Sequence, residues 1–127
     1  MQLRHEQQFV ERWPGWFTIH SEVSHMVVPL GLELNDGWFD ILWRLCTDLE
    51  PLVLRLEAET GRPFGIFKVM EKFGELHFYP NQVTEAISKR IAAAEQEAAQ
   101  TCEVCGQPGT RREGGERIRI TCEEHAK

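Results

Sequence analysis

The chain has no apolar run approaching the roughly 18 residues that a membrane span needs, and Met1–Glu6 contains no apolar signal-peptide core. The expected location is therefore the compartment of synthesis, the cytoplasm. Positive charge is scarce as well: 14 Lys and Arg stand against 20 Asp and Glu, a net charge of −6. The deficit is uneven, because the five basic residues beyond position 100 (Arg111, Arg112, Arg117, Arg119, Lys127) are balanced by five glutamates. The first hundred residues are thus the acidic part. An acidic body argues against general nucleic-acid binding, which relies on cations to neutralise phosphates. It suits docking on a basic protein surface. No internal repeat is present, which excludes a solenoid or propeller.

Cysteine is also rare, at four residues in 127, yet three of the four fall into one pattern. Cys102-Glu103-Val104-Cys105-Gly106 is followed by Cys122-Glu123-Glu124-His125. This is C-x2-C with C-x2-H. Two closely spaced thiolates make one half of a tetrahedral site, and a cysteine with a histidine three residues on makes the other. Four N/S ligands close the coordination sphere, as in a structural zinc site. The competing reading is disulfides or unconnected thiols. Zinc-ligand thiols, like the lone Cys46, fit a reducing compartment. A module this short cannot bury enough apolar surface to fold alone, and metal binding in such modules is worth on the order of 10–16 kcal/mol.

Apolar spacing predicts a helix over residues 2–13, stopped by Pro14-Gly15. Residues 16–34 are apolar but interrupted by Pro29 and Gly31, which predicts a loop with one or two short strands. Asp36 is the expected N-cap of the longest helix. Its stripe is Trp38, Ile41, Leu42, Leu45, Leu49, Leu52 and Leu56, with a kink or break expected at Pro51 and a C-cap at Gly61. Residues 64–70 and 75–79 predict a hairpin turning through Glu71–Gly74, with Ile66, Lys68 and Met70 on one face and Phe67 and Val69 on the other. Asn81 is the expected cap of a last helix over about 82–100, striped by Val83, Ile87, Ile91, Ala94 and Ala98. The zinc module follows with almost no linker, and Gly114-Gly115 is its expected hairpin turn. The expectation is an α+β fold: helices packed on a β-hairpin in a body over 1–100, with a zinc-ribbon-like knuckle module over 101–127 docked on it.

Several side chains are candidates for binding. Lys68, Lys72, His77 and Tyr79 cluster on the hairpin among Phe67, Phe73 and Phe78; one register sets Lys68 opposite His77. Cations beside aromatic rings can hold a nucleotide by charge and stacking, and the alternative is an ordinary amphipathic hairpin. Arg111 and Arg112, with Arg117 and Arg119, offer either a phosphate patch or a solvated ribbon balanced by Glu113 and Glu116. Trp13 and Trp16 flank Pro14-Gly15 and read as anchors of a partner-binding surface. Cys46 reads as a buried structural thiol. His20-Ser21-Glu22 with Cys102-x2-Cys105 imitates the residue order of zinc deaminases. That site needs an open position for water and would leave Cys122 and His125 idle, so the closed site is preferred.

Three segments in order carry a resemblance: Asn35–Cys46 with its Gly37-Trp38 start, Lys68–Tyr79 with Lys72-Phe73-Gly74, and the Cys102…His125 module. Over residues 30–127 the chain resembles a family of small proteins encoded by bacteriophages and prophages. Such proteins are often inhibitors of host machinery, including antiviral defence. The closed metal site, the acidic body and the lack of a catalytic constellation point to a non-enzymatic, zinc-containing binding protein. The resemblance adds, by analogy, a host protein as partner, with an anti-defence role among the expectations. The alternatives are a nucleotide or nucleic-acid binder and, last, a zinc-dependent enzyme.

Overall fold

A computed structural model describes residues 1–20 and 27–126. It is an α+β fold, as expected from the sequence. The order is α1 (Leu3–Arg12), β1 (Thr18–His20), β2 (Val27–Pro29), β3 (Leu32–Glu33), a 3-10 turn (Asp36–Trp38), α2 (Phe39–Thr60), β4 (Ile66–Lys72), β5 (Glu75–Pro80), α3 (Glu85–Ala98), β6 (Thr110–Arg112) and β7 (Arg119–Thr121). β1 and β2 pair antiparallel; β3, β4 and β5 form a sheet in that order, with β3 parallel to β4; β6 and β7 form a hairpin of their own.

The N-terminal segment folds back on α2 through aromatic rings. The Trp16 amide donates to the Trp13 carbonyl at 3.0 Å, so the Pro14-Gly15 turn brings the two indoles to 5.7 Å, stacked. Trp13 meets Trp43 at 4.8 Å and Trp16 meets Phe64 at 5.1 Å. Offset and tilted pairs of this kind add to the effect of burial alone. The expected exposed tryptophan anchors are therefore corrected: Trp13 is 4% and Trp16 9% exposed. The one polar atom of Trp13 is satisfied, because its indole N–H donates to Glu50 Oε1 at 2.6 Å.

α2 buries Ile41, Leu42, Leu45, Cys46, Leu49, Val53 and Leu56, a stripe at three- and four-residue steps. No break occurs at Pro51. Thr47 and Pro51 both lie on the exposed side, so the carbonyl that loses its partner faces water. Gly61 caps the helix at φ +70°, its amide donating to the Glu57 carbonyl. Asp36 does not cap a helix with its side chain. Its carboxylate instead accepts the Gln2 amide at 3.0 Å and contacts His5 Nδ1 at 3.0 Å, which ties α1 to the start of α2. Burial pushes the Asp36 carboxyl up, but these contacts outweigh it and hold it below its ordinary value.

The first strand of the hairpin lies two residues later than expected, so the turn is shorter. Lys72 pairs with Glu75, and only Phe73 (φ +56°) and Gly74 (φ +77°) lie between them, the two positive values of a type I′ turn. The ladder shifts between Ile66 and Lys68, so Ile66 and Val69 are both buried while Phe67 and Lys68 face out. That irregularity overturns the expected alternation. α3 begins later than expected. Thr84, not Asn81, is the N-cap, its hydroxyl accepting the Ile87 amide at 3.2 Å. Asn81 instead bridges Gly65 and Pro63. Val83 consequently lies outside the helix and is 60% exposed, whereas Ile87, Ile91, Ala94 and Ala98 pack inside the chain. Thr84→Ala should lower stability by about 1 kcal/mol, read as a lower urea midpoint at unchanged slope.

Candidate metal centre

The C-terminal site is built from two backbone turns. In the first, the Gly106 amide donates to the Cys102 carbonyl at 2.9 Å and Gly106 takes φ +82°, a conformation open to glycine. The Cys102 amide donates to the Gln107 carbonyl at 2.7 Å. Gly109 passes so close that a Cβ there would lie 2.8 Å from the Cys102 nitrogen. The second turn closes with the His125 amide on the Cys122 carbonyl at 3.2 Å. Between them β6 and β7 return the chain, with Thr110 opposite Thr121 and Arg112 opposite Arg119. The connection spans residues 113–118, a longer loop than the expected Gly114-Gly115 turn. The Glu103 amide on the Ile120 carbonyl, at 2.9 Å, joins the first turn to the hairpin.

These turns bring one donor atom from each of Cys102, Cys105, Cys122 and His125 within 4.8 Å of one another. Cys105 Sγ and Cys122 Sγ are 3.7 Å apart; His125 Nδ1 is 3.7 Å from Cys102 Sγ and 3.2 Å from Cys122 Sγ. A tetrahedral ion bonded at about 2.3 Å to sulfur and about 2.0 Å to nitrogen has S···S edges of about 3.8 Å and S···N edges of about 3.5 Å. The three separations given lie within about 0.3 Å of those edges, and all four donor atoms are close enough to share one metal ion. Burial pushes the Cys102 thiol up, but the backbone N–H groups of Cys122, Cys105 and Val104 outweigh it and bring it down to about 6. A thiolate is the form a metal needs.

The site is fastened to the body at the entry to α2. The Gly37 amide donates to the Glu103 carbonyl at 2.9 Å, and the Trp38 indole N–H to the Thr101 carbonyl at 2.9 Å. A Cβ on Gly37 would sit 2.2 Å from the Cys102 carbonyl oxygen, so only glycine permits the approach. Glu103, between the two knuckle cysteines, is 1% exposed. Its Oε1 accepts Arg119 Nε at 2.8 Å and lies 3.5 Å from Arg117; its Oε2 has no partner among the described residues. Gly37 and Glu103 are the residues that sequence reasoning missed. Gly37 reads as part of a helix start, and a glutamate beside zinc-type cysteines reads as surface.

The other candidates are dispersed. Arg111 pairs with Glu113 at 2.8 Å, Arg112 donates from Nε to Thr121 Oγ1 at 2.9 Å, and Arg117 reaches Glu71 at 3.4 Å. The four arginines are thus not one open patch. On the β4–β5 hairpin Lys68 stands opposite Tyr79 and Met70 opposite His77, so the direct Lys68–His77 pairing is not formed. Lys68 contacts Glu33 at 3.4 Å, Lys72 lies 5.6 Å over the Phe73 ring, and His77 Nδ1 meets the Tyr79 hydroxyl at 3.0 Å. Trp13 and Trp16 belong to the core. Cys46 is buried, and burial pushes its thiol well up, which suits a structural role. Of the deaminase-like trio, Ser21 and Glu22 lie outside the described residues.

Protons compete with metal for the ligand thiolates. Metal affinity should decline as pH falls from the ordinary thiol range, because the Gln107 amide draws the Cys105 thiol down but burial and the neighbouring Cys102 and Cys122 sulfurs outweigh it and push it up. The decline should steepen below about 6, where Cys102 also protonates. The same group makes the folded module gain stability with rising pH between that value and the ordinary thiol range, because the unfolded chain binds the extra proton there. Competition against a chromophoric chelator across this range checks it; a flat profile would remove the thiolate argument. Comparison with known proteins adds no name to this geometry: no family model, no curated protein and no solved structure matches the chain.

Proposed function

We propose that this chain is a non-enzymatic binding protein, stapled by structural zinc, that docks on another protein through the outer side of its β4–β5 hairpin. Three thiolates and one imidazole form the donor set that zinc favours, and a closed set holds a fold rather than opening a coordination position for substrate. The observation that carries the docking reading is the exposure of large apolar side chains on the hairpin and the segment after it. Phe67 is 68% exposed, Phe73 62% and Tyr79 47%, with Val83 beyond the strand end. Aromatic side chains presented on a rigid element are the usual anchors of a protein interface.

The resemblance to phage-encoded proteins supplies the rest of the reading. The partner is then a protein of the bacterial host, a component of antiviral defence in the sharpest form of the proposal, met in the host cytoplasm. Among the described residues no helix is long and apolar enough to cross a membrane. The net charge of −6 favours a basic partner surface. The nucleotide-binding alternative draws less support at the hairpin, because Lys68 is engaged with Glu33 and Lys72 with the Phe73 ring.

Native mass spectrometry before and after chelation should show the loss of one zinc mass per chain. Affinity capture from host lysate should recover one partner at fixed stoichiometry, and Phe67→Asp with Tyr79→Asp should abolish capture at unchanged melting temperature. Capture that survives the double variant would sink the hairpin as the docking element. Phe73→Asn tests the turn separately. Asparagine tolerates positive φ better than phenylalanine, so the variant should be more stable by roughly 1 kcal/mol while binding the partner more weakly.

A further inference from the structure

A cleft of about 440 Å³ opens beside the metal centre, between the β6–β7 hairpin and the Cys122–Ala126 turn. Its chemically active lining is Arg112, Arg117, Arg119, Thr121 and His125. Two of these arginines are held by one nitrogen only. Arg112 donates from Nε to Thr121 Oγ1, and Arg119 donates from Nε to Glu103 Oε1. The terminal nitrogens of both guanidinium groups have no partner among the described residues. Anchoring through Nε fixes the plane of a guanidinium and leaves its outer edge to recognise an oxyanion by paired hydrogen bonds.

Charge accounting singles out Arg112. Arg117 and Arg119 share the buried Glu103 carboxylate, and Arg117 also reaches Glu71. Arg112 has only a neutral hydroxyl as partner. Glu116 lines the cleft, but it is exposed and forms no ion pair with these arginines among the described residues. One cation therefore remains uncompensated at the cleft wall.

His125 supplies the independent observation. Its Nδ1 faces the Cys102 and Cys122 sulfurs, so the proton of the ring resides on Nε2 when the site holds its metal. A metal-bound histidine almost always gives that second N–H to an acceptor, which fixes the ring. No described residue accepts it, and the half-buried ring borders the cleft, so this N–H is open to water or to a ligand there. An oxyanion in the cleft would take this hydrogen bond together with those of Arg112 and Arg119.

We infer that this cleft binds a phosphomonoester group, held by Arg112, Arg119 and the Nε2–H of His125. Donors arriving from two hairpin strands and from the metal-side turn suit the several oxygens of a phosphate better than the flat edge of a carboxylate. No aromatic ring other than the imidazole lines the cleft, so nothing there offers a nucleobase a stacking platform. The ligand is a phosphate on a small molecule or on a side chain, not a nucleic-acid strand. Among the described residues the cleft touches the β4–β5 hairpin only through the Arg117–Glu71 pair and uses none of the exposed aromatics there, so failure of the docking reading leaves it standing.

The test is calorimetric titration of the zinc-loaded full chain with a phosphoserine peptide, its unphosphorylated form and inorganic phosphate. Saturable one-to-one binding of the phosphorylated peptide, with displacement by inorganic phosphate, is expected. Tighter binding of the peptide than of phosphate would identify a phosphorylated protein as the source, and equal binding a free phosphate. Arg112→Ala should weaken binding roughly tenfold or more, the loss of a hydrogen-bonded charge, and Arg112→Lys should weaken it less. Arg111→Ala, outside the cleft, should change nothing. In the unmodified chain, phosphate should shift the His125 Nε2 nitrogen resonance. Equal weakening by Arg111→Ala and Arg112→Ala, an unmoved His125 resonance, no saturation, or binding of an oligonucleotide that phosphoserine cannot displace would each overturn the assignment.

Discussion

Four donor atoms from residues spread over two dozen positions converge to within 4.8 Å of one another, and the rest of the C-terminal structure serves that convergence. The knuckle needs Gly106 at positive φ and a bare Gly109 against Cys102. The hairpin is needed only to return Cys122 and His125 to the opposite side. Because the Cys102 carbonyl then abuts Gly37, and Thr101 accepts the Trp38 indole, the ligand turn becomes part of the entry to α2. Trp38 and Ile120 both lie in the shared core. The metal centre is thus a strut between the end of α3 and the start of α2. The free energy of metal binding there would act on the body as well as on its own loop.

The charged groups beneath the centre work differently. Burying the Glu103 carboxylate costs several kcal/mol of lost hydration. Arg119 and Arg117 offset that cost, but one carboxylate oxygen stays unpaired among the described residues. Such an arrangement is poor evidence for stability and better evidence for register. It locks the first turn to one alignment of β7, which in turn sets where His125 falls. It also decides which arginines can act outward. Arg117 and Arg119 have their charge matched by Glu103, Arg119 through Nε alone so that its outer nitrogens stay free among the described residues, and Arg112, on the neighbouring strand, is left with its charge uncompensated.

Features that depend on short-range chemistry were legible in the sequence. The ligand spacing, the stripe along α2, the Gly61 cap and the existence of a hairpin around Gly74 all reside within a few residues of themselves. Features set by distant partners were not. Trp13 and Trp16 look like exposed anchors until α2 supplies Trp43 and Glu50, and Phe64 arrives from the loop beyond it. Asn81 is the cap the local pattern points to, whereas Thr84 caps α3 in the structure. The demand of Gly65 and Pro63 for the Asn81 side chain decides between them. The shift between Ile66 and Lys68 moves Val69 to the buried face, and no local residue type signals it. Glu103 is the extreme case, because its burial rests on arginines more than a dozen residues away.

The β4–β5 turn shows how a local cost bears on function. Phenylalanine at φ +56° is disfavoured by roughly 1–2 kcal/mol relative to its usual conformations. A turn that served only to join two strands would carry asparagine or glycine there. The cost is partly offset nearby: the Gly74 amide donates to the Glu71 carboxylate at 2.8 Å, and the Lys72 ammonium lies over the Phe73 ring. Yet the ring itself remains largely in water, so burial within the chain does not explain its presence. An aromatic held outward on a fixed two-residue turn has little conformational entropy left to lose on contact, which is the advantage of a pre-organised anchor. On the proposed reading the strain at Phe73 and the exposure of Phe67 and Tyr79 have one cause. On that same reading the hairpin is shaped for a surface that lies outside this chain, while a metal in the four-ligand site would keep the body that presents it in a single arrangement.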